Sequence, residues 1–239
     1  HMKEFRIVLF DIVVSVLTTG CDSWLELKPE NEIVLEDFWK SKADQESVLA
    51  GCYKSLSERP VIERMIVWGE LRSDNMVEGR TIPAGSGLYD MRRILDGNLT
   101  RHNSYANWGP LYTTINYCNT LLSYAPEVRE VDANFSQRDL NLVIGEATTL
   151  RALAYFYLVR AFRDIPLILD PSINDTQDYD RPQDDEETVL NFIIDDLNDI
   201  LNKGWVRDSY GDRASDKGRI TRSAVNALLA DVYLWKEDY

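Results

Sequence analysis

Cysteine is scarce in this sequence: three among 239 residues. Three is an odd number and far too sparse for a disulfide scaffold. Histidine is scarcer still. His1 stands ahead of Met2 and reads as a cloning remnant, which leaves His102 as the native one. There is no Gly-x-Ser-x-Gly, no Walker loop, no dinucleotide fingerprint and no HExxH, so the familiar catalytic frameworks have nothing to stand on. Proline (eight) and glycine (twelve) are few, which suits a helical chain better than a loop-rich β fold. Positive charge is in short supply, with 26 Lys+Arg against 40 Asp+Glu and a net charge of −14. No basic patch dominates such a surface, and that argues against nucleic acid as a partner. A mean hydropathy of −0.31 excludes a polytopic membrane protein. What remains is 44% hydrophobic and 28% charged, a globular composition long enough to bury one sizeable core.

The cysteines differ by context. Cys52 and Cys118 fall inside apolar helical patterns and read as small buried residues. Cys21 follows Phe5 to Leu17, a run that is apolar apart from Arg6, Asp11 and Ser15. Lys3 and Arg6 give a basic start, and Thr18-Thr19-Gly20 supplies small residues next to a cleavage point. The run is too short and too interrupted for a transmembrane helix, which needs roughly 20 apolar residues. The arrangement resembles a bacterial lipoprotein signal over 1–20, implying cleavage before Cys21 and acylation of that residue, where each buried methylene adds about 0.8 kcal/mol of anchoring. Asp11 inside the run and Leu17 one place early depart from that pattern.

Periodicity then lays out helices. Ser41 and Asp44 have capping-box spacing, and Val48, Leu49, Cys52, Tyr53 and Leu56 follow at helical intervals, predicting a helix over 42–58. Residues 60–104 show no sustained period, hold Pro60, Pro83 and five glycines, and read as an irregular excursion with short helical pieces near 64–70 and 88–94. Such excursions are often functional. Further helices are predicted at 105–124, stopped near Pro126, and at 137–163, with a short strand over Ile165 to Leu169. Residues 170–187 carry eight acids and read as a solvated connection. A helix over 186–202, a Gly- and Asp-rich loop over 203–219, and a last helix over 222–236 capped by Thr221 complete the chain. Antiparallel pairs with small residues at crossings predict an all-α, tetratricopeptide-like stack.

Seven segments, in order, resemble the SusD/RagB family of outer-membrane lipoproteins. They are CDSWLELKPENEI (21–33), VLAGCYKSL (48–56), ELRSDNM (70–76), WGPLYTTINYCNTLL (108–122), IGEATTLRALAYFYLVRAFRDIPLIL (144–169), TVLNFIIDDLNDIL (188–201) and GRITRSAVNALLADVYLW (218–235). Arg163-Asp164 departs from the Gly-Asp usual in the family. The resemblance implies a body about twice this length, with 21–239 as its N-terminal helical part and a stack left uncapped at the last helix. It also implies a lipid-anchored cell-surface protein. That protein captures oligosaccharides, or in some members peptides, and passes them to a SusC-like TonB-dependent channel without covalent chemistry or cofactor.

Glycan capture requires aromatic faces for sugar rings and polar groups for hydroxyls. The excursion offers that mixture in Trp68, Arg72, Asp74, Asn75, Tyr89, Arg92, Asn98 and His102, the candidate ligand-binding residues. Arg72-Ser73-Asp74-Asn75 equally suits a local backbone network, and Trp108 lies on a core stripe. The acidic run lacks the spacing of a calcium loop, so no metal is expected. Asp195-Asp196 and the helix-start acids have ordinary helical explanations, whereas a glycosidase needs two facing carboxylates. A helical scaffold that binds only protein is the rival reading; burial of the excursion's aromatics would favour it.

Overall fold

The structure, a computed structural model, describes residues 38–71, 73, 75–76, 86–173 and 180–237. The leader, Cys21, Arg72, Asp74 and part of the acidic run lie outside them. The described chain forms α1 (Lys42–Leu56), α2 (Arg59–Ile66), α3 (Ser86–Leu95), α4 (Gly109–Val131), α5 (Gln137–Phe162), α6 (Glu186–Asn202), α7 (Arg213–Gly218) and α8 (Arg222–Lys236). No strand occurs among the described residues.

Local chemistry starts the long helices where the sequence places them. Ser41 and Asp44 form the expected capping box, with the Ser41 backbone N–H donating to the Asp44 carboxylate at 2.7 Å. Ser136 and Asp139 do the same for α5. The Asp185 side chain accepts from the Thr188 N–H at 2.8 Å, and Thr221 caps α8. Each cap satisfies a backbone donor that a helix start leaves without a partner.

Helix α5 is the centre of the core. It is long and apolar enough to cross a membrane, but 83% of its most apolar stretch is buried inside the protein, which marks a core helix. Ala152, Ala154, Tyr155, Phe156 and Leu158 are fully enclosed. Leu111 and Ile115 of α4, Val189, Ile193 and Leu197 of α6, and Val225 and Val232 of α8 pack into the same cluster. Helices α1, α4, α5, α6 and α8 pack in succession, each on the next. This is the expected all-α stack. Cys52 and Cys118 are buried as read, and the hydrogen bond with the Cys52 thiol, together with burial, pushes the Cys118 thiol well up. Trp108 packs edge-on against Tyr112 and Phe162.

Three expectations need correction. Helix α4 does not stop near Pro126 but runs on to Val131. One proline removes a single backbone bond, and the burial of Ala125 and Val128 holds the following turns. Ile165 to Leu169 makes only one bridge, Ile165 to Asp184. Beyond it, side chains take the partner's place. The Tyr155 hydroxyl accepts from Ile168 N–H at 2.8 Å and donates to its carbonyl at 2.6 Å, and Tyr112 donates to the Pro166 carbonyl. The loop over 203–219 contains α7, capped by Asp212. The excursion holds both of its expected helical pieces, each longer than read: α2 with the turn that follows it, and α3. Pro60 sits in the first turn of α2, where its missing N–H costs nothing, and the helix widens into a π-helical turn over Val67–Leu71.

Candidate functional site

Among the described residues, hydrogen bonds to backbone carbonyls fasten the excursion to the stack. Arg64, buried in α2, donates Nε–H to the Asn107 carbonyl at 2.7 Å, Nη1–H to Pro60 at 2.8 Å and Nη2–H to Ser104 at 2.9 Å. Three carbonyls meet the requirement that a buried guanidinium be hydrogen-bonded. Asn103 ties the same turn to α3, its amide donating to the Asp90 carbonyl at 2.9 Å, while the Asp90 carboxylate accepts from Ser104 N–H. Those hydrogen bonds from Ser104 hold the Asp90 carboxyl below its usual range. A small apolar cluster of Val67, Leu71, Ile94 and Tyr105 closes the unit.

Trp68 stands at the junction. Its Nε1–H donates to the Tyr105 carbonyl at 3.1 Å, and its ring meets Phe162 edge-on at 4.9 Å. It forms a wall of two adjacent clefts. One, of about 400 Å³, is completed by Gly69, Ser73, Tyr157, Arg160 and Trp235. The other, of about 320 Å³, is lined by Leu99, Thr100 and Arg101 together with Phe162. In the first cleft Arg160 lies over Phe156 at 4.3 Å and Tyr157 at 4.7 Å, and Trp235 anchors its indole N–H on Glu186 at 3.0 Å. Both indoles therefore have their N–H groups committed and their ring positions fixed. An aromatic-walled cleft with one guanidinium and a serine can hold a sugar-sized ligand by stacking and hydrogen bonding.

The other predicted residues fall around this centre. Tyr89 is 62% exposed on α3 and carries Arg93 against its ring at 5.4 Å. Arg92 is exposed on the same helix. Asn98 is exposed just past α3, its N–H held by the Arg93 carbonyl at 2.7 Å. His102 is exposed and accepts from Arg101 Nε–H at 3.3 Å. Asn75 is exposed beside Ser73, whose hydroxyl donates to the Glu70 carbonyl at 2.6 Å. Arg72 and Asp74 lie outside the described residues. Of the predicted set, Trp68 lines both of these clefts. Tyr157, Arg160 and Trp235 were absent from that set. The aromatic-aromatic-x-x-Arg run from Phe156 to Arg160 was the available signal, because it puts Arg160 one turn from both rings. Among the described residues no group of His, Cys, Asp and Glu could hold a metal ion.

Fold and clefts together define an all-α protein with aromatic-walled clefts where the excursion meets the stack. Comparison with known proteins makes this narrower. A SusD-like family model described as "Starch-binding associating with outer membrane" matches residues 23–234. The chain belongs to the SusD-like family. SusD-like protein P38 of Formosa agariphila is 30% identical over all of this chain and 44% of its own length. A SusD-like protein of Bacteroides ovatus is 29% identical over 98% of this chain and 39% of its own. Among solved structures, a SusD superfamily protein of Bacteroides thetaiotaomicron superposes with a TM-score of 0.70 at 25% identity, covering 84% of this chain and 45% of that one. A laminarin binding SusD-like protein superposes at 0.68 and 25% identity, covering 82% and 41%. The chain thus spans less than half the length of these relatives.

Proposed function

We propose that the protein binds a soluble oligosaccharide at the outer face of the outer membrane and hands it to a SusC-like TonB-dependent transporter, with no chemical turnover. Acylation at Cys21 supplies the anchor. The carrying observation is Trp68, fixed by Tyr105 and Phe162 between two clefts, in a member of a family described as starch-binding. Ring faces there supply apolar contact, and Arg160 and Ser73 supply polar contact. Arg72, Asp74, Asn75, Tyr89, Arg92, Asn98 and His102 are proposed as the surrounding ligand contacts. Titration calorimetry of the full-length protein against a glycan panel tests this. Saturable binding with no product released is expected; absence of binding to every glycan offered removes the reading.

A further inference from the structure

A further cleft, of about 630 Å³, lies away from Trp68, where the start of α5, the turn after α6 and the start of α8 meet. On a chain of net charge −14 its lining is basic. Arg138, Lys203, Arg207 and Arg222 line it against one carboxylate, Asp208. Asp208 is engaged by Arg222 Nε–H at 2.8 Å, and Lys203 is engaged by Asp199 at 2.7 Å. Among the described residues neither Arg138 nor Arg207 is in an ion pair, so two guanidinium groups keep uncompensated charge. Arg138 and Arg222 also fall in the first turns of α5 and α8, where the helix dipole adds positive potential.

The cleft is rigid. Val206 is buried in the core, and the Arg207 carbonyl accepts from the Arg222 N–H at 2.8 Å, which pins the turn to the start of α8. Trp205 stands in the wall with the Lys203 ammonium 4.5 Å from its ring, and its Nε1–H reaches the Asn141 side-chain oxygen at 3.1 Å in the amide orientation that satisfies both groups.

We propose that this cleft is a second saccharide subsite, specific for an anionic group on the glycan: a uronate carboxylate or a sulfate ester. Arg138 and Arg207 pair with the anion, since the guanidinium fork matches a carboxylate or sulfate in a way an ammonium does not. Trp205 and Asn141 meet the ring that carries it. The inference rests on the glycan-binding reading and narrows its substrate class.

The test is calorimetry on the full-length protein with four probes: an oligomannuronate, a sulfated galactan oligosaccharide, maltoheptaose and laminarihexaose. At least one anionic probe is expected to bind tenfold or more tighter than the neutral ones, with affinity falling as salt is raised. The Arg138→Gln/Arg207→Gln double variant should lose that margin while its thermal midpoint and its affinity for neutral probes stay unchanged. The two anionic probes separate carboxylate from sulfate recognition. Neutral binding with no anionic preference, or an anionic preference intact in the double variant, overturns the subsite and leaves the glycan reading standing. No binding of any saccharide removes both. Anionic phospholipid vesicles form a last arm: their capture by the wild type, lost in the double variant, without saccharide binding assigns the cleft to lipid and overturns the proposal.

Discussion

A Cβ atom on Gly145 would overlap the carbonyl oxygen of Trp205. Helix α5 and the turn after α6 touch backbone to backbone there, and only a residue without a side chain permits it. The contact seats Trp205 and Arg207 in the basic cleft. Gly145→Ala must displace that backbone, so it should cost about 3 kcal/mol. Urea unfolding checks this: the midpoint is expected to fall with the slope unchanged, and an unaltered midpoint would show that the turn moves freely.

One residue on, Glu146 joins three parts of the chain. Its buried carboxylate accepts both the Nε–H and Nη2–H of Arg219 and the hydroxyl of Tyr53. The same hydroxyl accepts from Ile220 N–H at 2.8 Å, so α1, α5 and the entry to α8 share one carboxylate. Burial and the adjacent Glu146 charge push the Tyr53 hydroxyl up, which keeps it a donor. Glu146→Ala should destabilise by about 3 kcal/mol, the low end for breaking a buried pair, because Arg219 retains access to water. Tyr53→Phe should cost about 2 kcal/mol by stranding the Ile220 N–H. A double-mutant cycle in thermal unfolding should show coupling above about 0.5 kcal/mol; strict additivity would mean the groups act separately.

Arg163 ends α5 with φ of 68°. A positive φ favours glycine, and this is the position where the family usually has Gly-Asp. Its ion pair with Glu186 at 3.4 Å is solvent-exposed and worth little. Arg163→Gly should therefore stabilise by about 1 kcal/mol, relief of strain outweighing added unfolded-state entropy. A lowered melting temperature would refute that balance.

Much of this was legible in the sequence. The caps at Ser41 and Thr221, the span of α5 and α6, and the burial of Cys52 and Cys118 followed from spacing alone, because local hydrogen bonds and apolar period decide them. Pro126 misled because tertiary packing of Ala125 and Val128 overrides local preference. Residues 165–169 misled because the hydroxyls that replace a partner strand come from Tyr112 and Tyr155, far off in sequence. The start of α2 was missed because Pro60 signals a break anywhere except the first helical turn. Of the clefts, Trp68 was visible as an aromatic in irregular chain. Trp235 and Arg138 were not, because each belongs to an ordinary helix until the stack brings it to a wall.

The capping boxes predict acid lability. The Ser136 hydroxyl, its backbone N–H and Lys42 hold the Asp139 carboxyl below its ordinary range, and the Ser41 hydroxyl does the same for Asp44. For an acid whose folded pKa is depressed, stabilisation is complete above the unfolded value and is lost as pH falls through the folded one. The melting temperature should therefore drop on acidification below about pH 4. Asp139→Asn should lower it at pH 7 and narrow its gap to the wild type at about pH 3. A gap that is constant with pH would exclude the charge as the cause.

Tyr89 offers the cleanest mutational reading of the excursion. Trp68 is tied into the fold by Tyr105 and Phe162, so its removal confounds binding with stability. Tyr89 is exposed and, among the described residues, meets Arg93 across its ring and at 3.4 Å from its hydroxyl. Tyr89→Ala should change stability by less than about 0.5 kcal/mol. If its ring stacks on ligand, oligosaccharide affinity should fall by roughly 0.5–1.5 kcal/mol, the range for one aromatic face. Calorimetry at matched thermal stability reads the two effects separately. An unchanged affinity would confine the ligand to the clefts beside Trp68 and remove α3 from the binding face.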